Sequence, residues 1–428
     1  MAGVSLAARR CDEVHLMLSI ASMAFRNLLR NRRRTVITVL GISLGLGMCQ
    51  MVYNLNLGNY NSMLDKGIRG LSGHVVVQHK EWLKSPEVEH VVEGSAAIRD
   101  RLQADNPAAL VTRRIMAGGL VTSPTNAVAA GVFGVDPQPE SKLNRAATRM
   151  VDGEWLKPGD ARGLVLGDTL ADRLGVGVKS RIVVMAPDPT DPTESISLLF
   201  RVRGTYHSGV EVLDNFSVMV PISAAQPLLQ GTDPVHQVAV VYDDDAPSAA
   251  GLERAKAQDL GEAVALSWQE ALPDLQTFIE VDTRTNELFF FVLGFIVVLG
   301  VINTMLMSVL ERVREFGVMM ALGMRPGSLA VLVLVEGALL GFASAVLGTV
   351  FGTAFTYPLV TSGLDFSQEM GETMMVEGVA MDAMMFAQYA PDRMALYAVV
   401  AMAMTILASG WPAWRVTRMQ PIEAIKHT

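Results

Sequence analysis

The chain alternates between long apolar runs and long stretches of mixed character. A helix of about 20 apolar residues crosses the roughly 30 Å hydrocarbon core of a bilayer. Four runs meet this criterion, at residues 35–57, 288–310, 329–355 and 394–414. The fourth run is the weakest, because Ser409, Gly410 and Pro412 fall near its end. The pattern therefore predicts an α-helical membrane protein with four transmembrane helices.

Charged residues near the apolar runs predict the orientation. Basic residues cluster on one side, at Arg26, Arg30, Arg32, Arg33, Arg34, Arg312, Arg314, Arg325, Arg415, Arg418 and Lys426. The loop 356–393 carries Asp365, Glu369, Glu372, Glu377, Asp382 and Asp392 against only Arg393. Because cytoplasmic loops are enriched in Lys and Arg, residues 1–34, 311–328 and 415–428 are predicted to be cytoplasmic. Residues 58–286 and 356–393 are then expected on the opposite face.

The segment before the first run has its own pattern. In residues 18–34, "LSIASMAFRNLLRNRRR", apolar Ile20, Met23, Ala24 and Leu28 recur at helical spacing among arginines. This is typical of an interfacial helix lying on the cytoplasmic leaflet; a disordered basic tail is the alternative. The run that follows is too long for the apolar part of a signal peptide and lacks a clear cleavage site. It is therefore expected to be a retained anchor.

Residues 58–286 alternate short strand and helix patterns. Val-rich strands bounded by Gly, Pro or Asp are predicted at residues 73–80, 127–136, 181–187, 198–206 and 236–244, and helices at 223–230 and 246–260. Residues 186–195 are turn-rich, and residues 243–245 are expected to end a strand in solvent. The pattern predicts a large extracytoplasmic α+β domain inserted between helices 1 and 2.

A long helix is predicted to connect this domain to the second run. Ser267 and Glu270 form a capping-box pattern, and Pro273 lies near the helix start, where it is tolerated. Helical spacing of apolar residues continues into the second run, so one helix is expected over residues 268–320. The polar stretch 281–287 is the candidate position for a break.

Span three carries a stripe of small residues and one acid. Gly337, Gly341, Ala345, Gly348 and Gly352 recur at spacings of three or four and predict close helix packing, within the subunit or at a dimer seam. Glu336 lies about a third of the way along the span. A carboxylate within the hydrocarbon is usually turned to the protein interior, where Glu336 could make a coupling or gating contact. The alternative is that Glu336 lies near the lipid headgroups.

Composition and motifs exclude several function classes. The 428 residues are 50% hydrophobic and carry a net charge of −8, with no basic aromatic-rich face, which argues against a nucleic-acid partner. Cys11 and Cys49 are not placed for a disulfide or a metal. The histidines lack metal-ligand spacing, and the stretch "GVGVKS" at 175–180 lacks the full phosphate-loop spacing. The sequence therefore predicts neither a catalytic nor a nucleotide-binding site.

The charged stretch between spans two and three carries a family resemblance. "NTMLMSVLERVREFGVMMALGMRPGS" (303–328) resembles the signature of ABC-transporter permeases of the MacB/FtsX/LolC–LolE type. The matching residues are Asn303, Met305, Ser308, Val309, Glu311, Arg312, Arg314, Glu315, Phe316, Gly317, Ala321 and Gly323. Span three is similar at Glu336, Gly337 and Gly341, and the C-terminus at Pro412, Ala413, Pro421, Glu423, Ala424 and Ile425. Residues 153–184 resemble an external-domain strand–helix–strand, with Lys179-Ser180 in place of the usual Gly-Asp.

The resemblance implies a function for the charged stretch. Residues 311–325 would form a coupling helix seated in a groove of a separate cytoplasmic ABC ATPase homodimer, which would bind ATP and Mg²⁺ because this chain carries no cofactor motif. The implied coupling residues are Glu311, Arg312, Arg314, Glu315, Phe316, Gly317, Met320 and Arg325, with Met319 as a further apolar anchor. Charged side chains would pair with ATPase charges around these anchors.

The resemblance also bounds the cargo and partners. It implies a non-enzymatic permease of a bacterial inner membrane that pairs with a second permease, either the same chain or a sister. The "GLSGHVVVQ" strand after span one is similar to permeases of the LolC/LolE type and favours extraction of lipoproteins or lipid-linked cargo. A MacB-like export pump and an FtsX-like scaffold that activates an external hydrolase are the alternatives.

Overall fold

A computed structural model of the chain describes residues 20–191, 194–242, 248–370, 373–376 and 379–419. Some sequence predictions concern positions outside these ranges. They include Cys11, the strand end at residues 243–245, the loop acids Glu372 and Glu377, the C-terminal motif at residues 421–425, and Lys426.

Fifteen helices are described, beginning with α1 at residues 20–30. The others are α2 (Arg32–Gly67), α3 (Ser95–Asp105), α4 (Pro137–Leu143), α5 (Arg145–Thr148), α6 (Asp168–Leu174), α7 (Glu211–Phe216), α8 (Ile222–Ala225), α9 (Ser248–Lys256), α10 (Trp268–Ala271), α11 (Pro273–Glu311), α12 (Val313–Ala321), α13 (Pro326–Thr361), α14 (Ser367–Met370) and α15 (Pro391–Thr417). A π-helical turn, Ile68–Ser72, continues α2, and a 3₁₀ turn, Gln226–Leu228, follows α8.

Fourteen strands are described in the same residues. They are β1 (Val75–His79), β2 (Leu110–Thr122), β3 (Ala127–Val135), β4 (Met150–Gly153), β5 (Gly163–Gly167), β6 (Arg181–Pro187), β7 (Ser195–Tyr206), β8 (Ser217–Pro221), β9 (Gln237–Val241), β10 (Ala263–Ser267), β11 (Leu364–Asp365), β12 (Thr373–Val376), β13 (Val379–Asp382) and β14 (Met384–Met385).

The chain divides into two compact units. The membrane unit comprises Met1–Asn59, Val281–Leu364 and Met385–Thr428, and the external unit comprises Tyr60–Glu280 and Asp365–Met384. Within the described residues, four helices are long and apolar enough to cross a membrane: Arg32–Ser72, Pro273–Glu311, Pro326–Thr361 and Pro391–Thr417. Four membrane helices with a large α/β domain between the first and second confirm the predicted fold class.

The external unit is built on a mixed sheet of ten strands. Its order is β10-β1-β9-β2-β3-β8-β5-β7-β4, and β6 pairs with β2 and β7. The β3–β8 and β5–β7 pairs are parallel, and the other pairs are antiparallel. Helices α3, α6 and α8 pack their apolar sides on the sheet, which places Leu102, Leu170 and Ala225 in the buried core. The strand at β9 is buried along its whole length, as expected of a central strand.

The predicted strands and helices of this unit are confirmed with shifted bounds. The turn-rich stretch 186–195 connects β6 and β7, which pair antiparallel as a hairpin. In the turn before β6, Lys179 stands where the family usually has glycine. It adopts the left-handed conformation, with φ 74°. That position favours glycine, which has no Cβ to strain.

The predicted helix over residues 268–320 is wrong in its bounds. The capping box is present at Ser267 and Glu270, but it begins only the short α10. Helix α11 then runs without interruption through residues 281–287, the candidate position for a break, and it ends at Glu311. The break lies at Arg312, whose φ of −113° and ψ of 11° are not helical. Polar residues are compatible with a helix, so their clustering alone does not end one.

The helix at residues 20–30 differs from the predicted interfacial helix. Its apolar stripe is not free to face a leaflet, because Ile20 and Ala24 are buried in the same cluster as Phe316 and Leu329 of the membrane unit. Phe25 and Leu29, between the stripe positions, are the exposed apolar side chains. The 3.6-residue period identified an amphipathic helix correctly, but it does not distinguish a protein neighbour from a lipid one.

Candidate coupling site

The charged turn between spans two and three folds as a short helix with non-helical residues at both ends. Helix α12 begins after the non-helical Arg312 and ends at Ala321, two residues before Gly323, whose φ of 96° suits glycine. The Gly323 amide donates to the Met320 carbonyl at 3.0 Å, and the Met324 amide donates to the Met319 carbonyl at 3.0 Å. Pro326 then opens α13 at its first turn, where a missing N–H costs nothing.

Arg312 is the buried centre of this site. Its Nη1 donates to Glu336 Oε1 of α13 at 2.9 Å, and its Nε donates to Glu315 Oε2 at 3.0 Å. Only 7% of the Arg312 side chain and 4% of the Glu336 side chain are exposed. The guanidinium also lies over the Phe316 ring, 5.1 Å from its centroid. Glu336 is therefore turned to the protein interior, where it joins span three to the charged turn.

The N-terminal helices supply further partners that sequence reasoning missed. Asn27 Nδ2 donates to Glu336 Oε1 at 2.6 Å, Arg30 Nη2 to Glu315 Oε1 at 2.7 Å, and Arg34 Nη1 to Glu311 Oε2 at 2.9 Å. These three residues recur every three or four positions along α1 and the start of α2. That spacing on one helical face was the available signal, although it does not reveal which carboxylates lie opposite.

These contacts change the expected role of two carboxylates. Glu311 and Glu315 were predicted to pair with ATPase charges, but both are ion-paired within the chain. Burial raises the pKa of Glu315, while hydrogen bonds from Arg312 and Arg30 outweigh it and hold that pKa below its ordinary value. Glu311 thus holds the end of α11, and Glu315 holds α12, against the N-terminal helices in this structure.

The remaining predicted coupling residues separate into buried and exposed sets. Phe316 and Gly317 are buried in the membrane unit, and Met319 and Met320 are half-buried, so Phe316 does not face outward as an anchor. The face that is open to a partner is formed instead by Arg314, Val318, Leu322 and Arg325. Leu322 is 83% exposed, the largest value among the large hydrophobic side chains of the described residues. We call these four residues the open face of α12.

The small-residue stripe of α13 packs inside the subunit. A Cβ at Gly337 would overlap Ser409 Oγ of α15, and one at Gly341 would lie 3.2 Å from the Met402 carbonyl oxygen. Farther along, a Cβ at Gly348 would lie 2.8 Å from Leu46 Cδ2 of α2, and one at Gly352 would overlap Gln50 Oε1. Gly337 and Gly341 therefore pack against span four, and Gly348 and Gly352 pack against span one.

A row of polar side chains on α2 was not singled out from the sequence. Ser43 Oγ donates to the Ser344 carbonyl at 3.1 Å, and Gln50 Nε2 donates to the Met394 carbonyl at 2.9 Å. Asn54 donates to Thr356 Oγ1 at 3.2 Å and accepts from the Ala390 amide at 3.2 Å. Spacings of seven and four placed these residues on one helix face, which was the available signal. They link span one to spans three and four through buried hydrogen bonds.

The external unit brings one group of possible metal ligands together. Asp168, His207 and Asp214 place their ligand atoms within 4.8 Å of one another. His207 Nδ1 lies 3.0 Å from Asp168 Oδ2, which is an ordinary hydrogen bond. Asp214 already accepts from the Ser208 amide, the Ser208 hydroxyl and the Gly209 amide. The arrangement is therefore explained by a loop that Asp214 organises.

His236 of the external unit predicts a pH dependence of stability. Burial lowers its pKa to about 4, and its Nδ1 accepts the Met116 amide at 2.9 Å, which requires the neutral ring. The unfolded chain, with a pKa of about 6.5, binds the proton first. The stability is fully present above about pH 6.5 and is lost as the pH falls towards 4, by about 3 kcal/mol in total. Thermal denaturation of the full chain in detergent between pH 7 and pH 4.5 measures it.

Two variants provide the comparison for this titration. His236→Gln removes the titrating group and should flatten the dependence of the melting temperature on pH. Leu83→Gln, at a 45% exposed leucine of the external unit, removes no titratable group, so it is the control and should keep the wild-type slope. An unchanged slope in His236→Gln would contradict the assignment.

The comparisons with known proteins cover both units. The model described as the MacB-like periplasmic core domain matches residues 35–258, and the FtsX-like permease C-terminal model matches residues 287–421. The lipoprotein-releasing system transmembrane protein LolC of Xylella fastidiosa is 24% identical over 69% of this chain and 72% of its own length.

Two further relatives span more of the chain. The lipoprotein-releasing system transmembrane protein LolE of Haemophilus influenzae is 21% identical over 90% of this chain and 92% of its own length. The macrolide export ATP-binding/permease protein MacB of Burkholderia thailandensis is 23% identical over 84% of this chain and 55% of its own length.

Proposed function

Because the chain belongs to the family of FtsX-like permeases with a MacB-like periplasmic core domain, we propose that it is the permease subunit of an ABC transporter. A separate cytoplasmic ATPase homodimer would bind ATP and Mg²⁺ and dock on α12. The observation that carries this proposal is the open face of α12, which combines two arginines with Val318 and Leu322. An exposed apolar side chain beside exposed basic groups is a suitable contact for a protein groove with an acidic rim.

The mechanism follows from what the other side of α12 contacts. Arg312 and Glu336 bury an ion pair between the charged turn and α13, and Arg30 and Arg34 hold the turn to the N-terminal helices. Closure of two ATPases would move the α12 helices of two permeases towards each other. Because these contacts are buried or paired, α12 would move together with the spans rather than fold independently of them.

The span-two helix offers a route for this motion. Helix α11 runs continuously from Pro273 to Glu311, 39 residues that belong in sequence to both the external domain and the membrane unit. An uninterrupted helix resists bending better than a jointed one, because a kink requires a proline, a bulge or an inserted group. Motion at the charged turn would therefore reach the external domain. In this proposal both termini and α12 are cytoplasmic, in a bacterial inner membrane.

The cargo that the relatives favour is a lipoprotein or another lipid-linked molecule. The LolE relative aligns over nearly the whole chain, and its name and that of the LolC relative describe lipoprotein release. The MacB relative supports a second candidate, an export pump, since the external domain matches the MacB-like core. A second permease, identical or a sister, would complete either assembly.

The docking proposal is tested by one substitution on the open face. Leu322→Asp should leave the fold intact, because Leu322 is 83% exposed, but it should weaken ATPase retention at least about tenfold. Burying a leucine contributes about 1.5–3 kcal/mol, and about 1.4 kcal/mol corresponds to a factor of ten. The measurement is quantitative mass spectrometry of the ATPase retained by the tagged protein, purified in mild detergent from its own membranes.

A matched substitution controls for surface charge. Leu83→Asp changes a 45% exposed leucine of the external unit and should leave ATPase retention unchanged. Equal retention by Leu322→Asp and wild type would remove the open face from the proposal. The same purification tests the cargo: co-purified lipoproteins favour release, whereas an efflux adaptor without lipoproteins favours the export pump.

A further inference from the structure

The external unit contains a cavity of about 420 Å³ that the proposed coupling does not use. Its volume lies within the range of about 300–1,000 Å³ that is typical of ligand pockets. The wall is formed by the end of α2 and the following turn, by strands β2, β3 and β8, by α4 and α5, by residues 208–213 and by β13. All of these residues belong to the external unit, so the cavity is formed within one compact body.

Part of the cavity wall is apolar. It is formed by Phe133, Val135, Val210, Met219 and Val379, of which all but Phe133 are buried. No polar group among these side chains would bind water, and the sulfur of Met219 is flexible and polarizable. Such a lining favours a hydrocarbon group over a polar one.

Five basic side chains line the cavity. The lining includes Lys66, Arg69, Arg114, Lys142 and Arg145, with Asp65 as the single acid. Asp65 pairs with Arg69, Glu140 pairs with Arg114, and Asp382 is shared by Lys66 and Arg145. Five basic side chains therefore face three carboxylates, an excess of two positive charges. This excess is unexpected in a chain whose net charge is −8, and it gives the cavity a charge preference.

The shared carboxylate leaves cationic donors available. Asp382 Oδ2 lies 2.8 Å from Lys66 Nζ, and Asp382 Oδ1 lies 2.9 Å from Arg145 Nη1. Burial raises the pKa of Asp382, but hydrogen bonds from Lys66 and Arg145 outweigh it and lower that pKa overall. Lys66 Nζ is buried and has Asp382 as its carboxylate partner among the described residues, although an ammonium group carries three donors. A second anionic group beside Asp382 would use these donors.

We propose that this cavity binds a single-chain amphiphile with an anionic head group, its hydrocarbon tail among Phe133, Val210 and Met219 and its carboxylate or phosphate at Lys66 and Arg145. The apolar part of the wall and the excess of positive charge match the two ends of such a molecule. The site lies in the external unit and needs no ATPase. A failed test of ligand binding would therefore leave the proposed ATPase coupling untouched, and the reverse also holds. Binding would place the anion next to β13, whose Asp382 shares the same two cations.

The test uses the full chain in phosphatidylcholine nanodiscs and a 16-carbon fatty acid that carries a photoreactive diazirine. Cross-linked peptides are mapped by mass spectrometry, which separates the cavity from the membrane helices. The acid should label peptides that contain Phe133 or Met219, and its neutral methyl ester should label them at least about tenfold less. The loss of one charge-assisted hydrogen bond has this size. Equal labelling by acid and ester, or labelling confined to the membrane helices, would overturn the proposal.

Variants sharpen the result. Lys66→Gln keeps Arg145 as the partner of Asp382 and should reduce labelling by the acid about tenfold, as loss of one charged hydrogen bond predicts. Thr148→Trp, at an exposed position on the rim, should block entry, whereas Lys84→Gln, at a lysine whose side chain is 76% exposed, should label like wild type. Unchanged melting temperatures confirm folding.

Competition by lysophosphatidylglycerol identifies a phosphate head group as a ligand, and the absence of competition assigns the site to carboxylates. Full labelling in both Lys66→Gln and Thr148→Trp would place the probe elsewhere.

Discussion

Glu336→Leu is expected to destabilise the membrane unit by about 3–5 kcal/mol, because it leaves the buried Arg312 guanidinium without its main counter-charge. Arg312 is only 7% exposed, so water compensates little of the loss. Its second partner, Glu315, is half-exposed and already bound to Arg30, so it replaces Glu336 only in part. Thermal denaturation of the purified full chain in detergent measures the change.

The double variant Arg312→Met/Glu336→Leu distinguishes a lost ion pair from lost packing. Replacing both partners by apolar groups of similar volume removes the uncompensated charge, so much of the stability should return. Comparison of the two single variants with the double variant gives the coupling energy between the residues. Additive losses, with the double variant less stable than either single variant, would show that Arg312 and Glu336 act independently.

Arg114→Met is expected to have an effect of similar size in the external unit, again about 3–5 kcal/mol, because it leaves the fully buried Glu140 carboxylate uncompensated. Arg114 Nε donates to Glu140 Oε1 at 2.7 Å, and its Nη atoms donate to the Leu71 and Arg69 carbonyls at 2.7 Å and 2.6 Å. One guanidinium thus joins β2, α4 and the turn that follows α2. The free energy of unfolding from denaturant titration of the full chain is the readout.

Three comparisons define what the result means. Arg114→Lys should rescue only partly, since a single ammonium does not span a carboxylate and two carbonyls in the fork geometry of arginine. Arg114→Met/Glu140→Leu should recover most of the loss. Arg203→Met removes an exposed arginine paired with Asp160 and should behave nearly like wild type. A loss in Arg203→Met as large as that in Arg114→Met would contradict the role of burial.

The sequence predicted five valine-rich strands of the external unit, β1, β3, β6, β7 and β9, but not its longest strand. Strand β2, Leu110–Thr122, contains Arg113, Arg114 and a Gly-Gly pair, a composition that argues against a buried strand. In the folded chain both arginines are buried against Asp136, Asp233 and Glu140. Their partners lie 23 to 120 positions away along the chain, beyond the reach of any local pattern.

The coupling site shows the same limit. Helical spacing placed Glu311 and Glu315 correctly near the charged turn, and the family signature indicated the docking helix. It did not reveal that Arg34 and Arg30, 277 and 285 positions earlier, neutralise those carboxylates. Nor did it show that Phe316 is buried and Leu322 exposed, because both are apolar residues of one short amphipathic segment. Which side of such a helix meets its own subunit is decided by tertiary packing.

The docking of α12 on an ATPase is tested most directly by site-specific photo-cross-linking in native membranes. A photoreactive phenylalanine analogue replaces Leu322 on the open face and, as the control, Leu407 of α15, which is 77% exposed. The account predicts a cross-link from position 322 to a nucleotide-binding ATPase identified by mass spectrometry, and none from position 407. Absence of an ATPase adduct at position 322, or equal adducts at both positions, would contradict it.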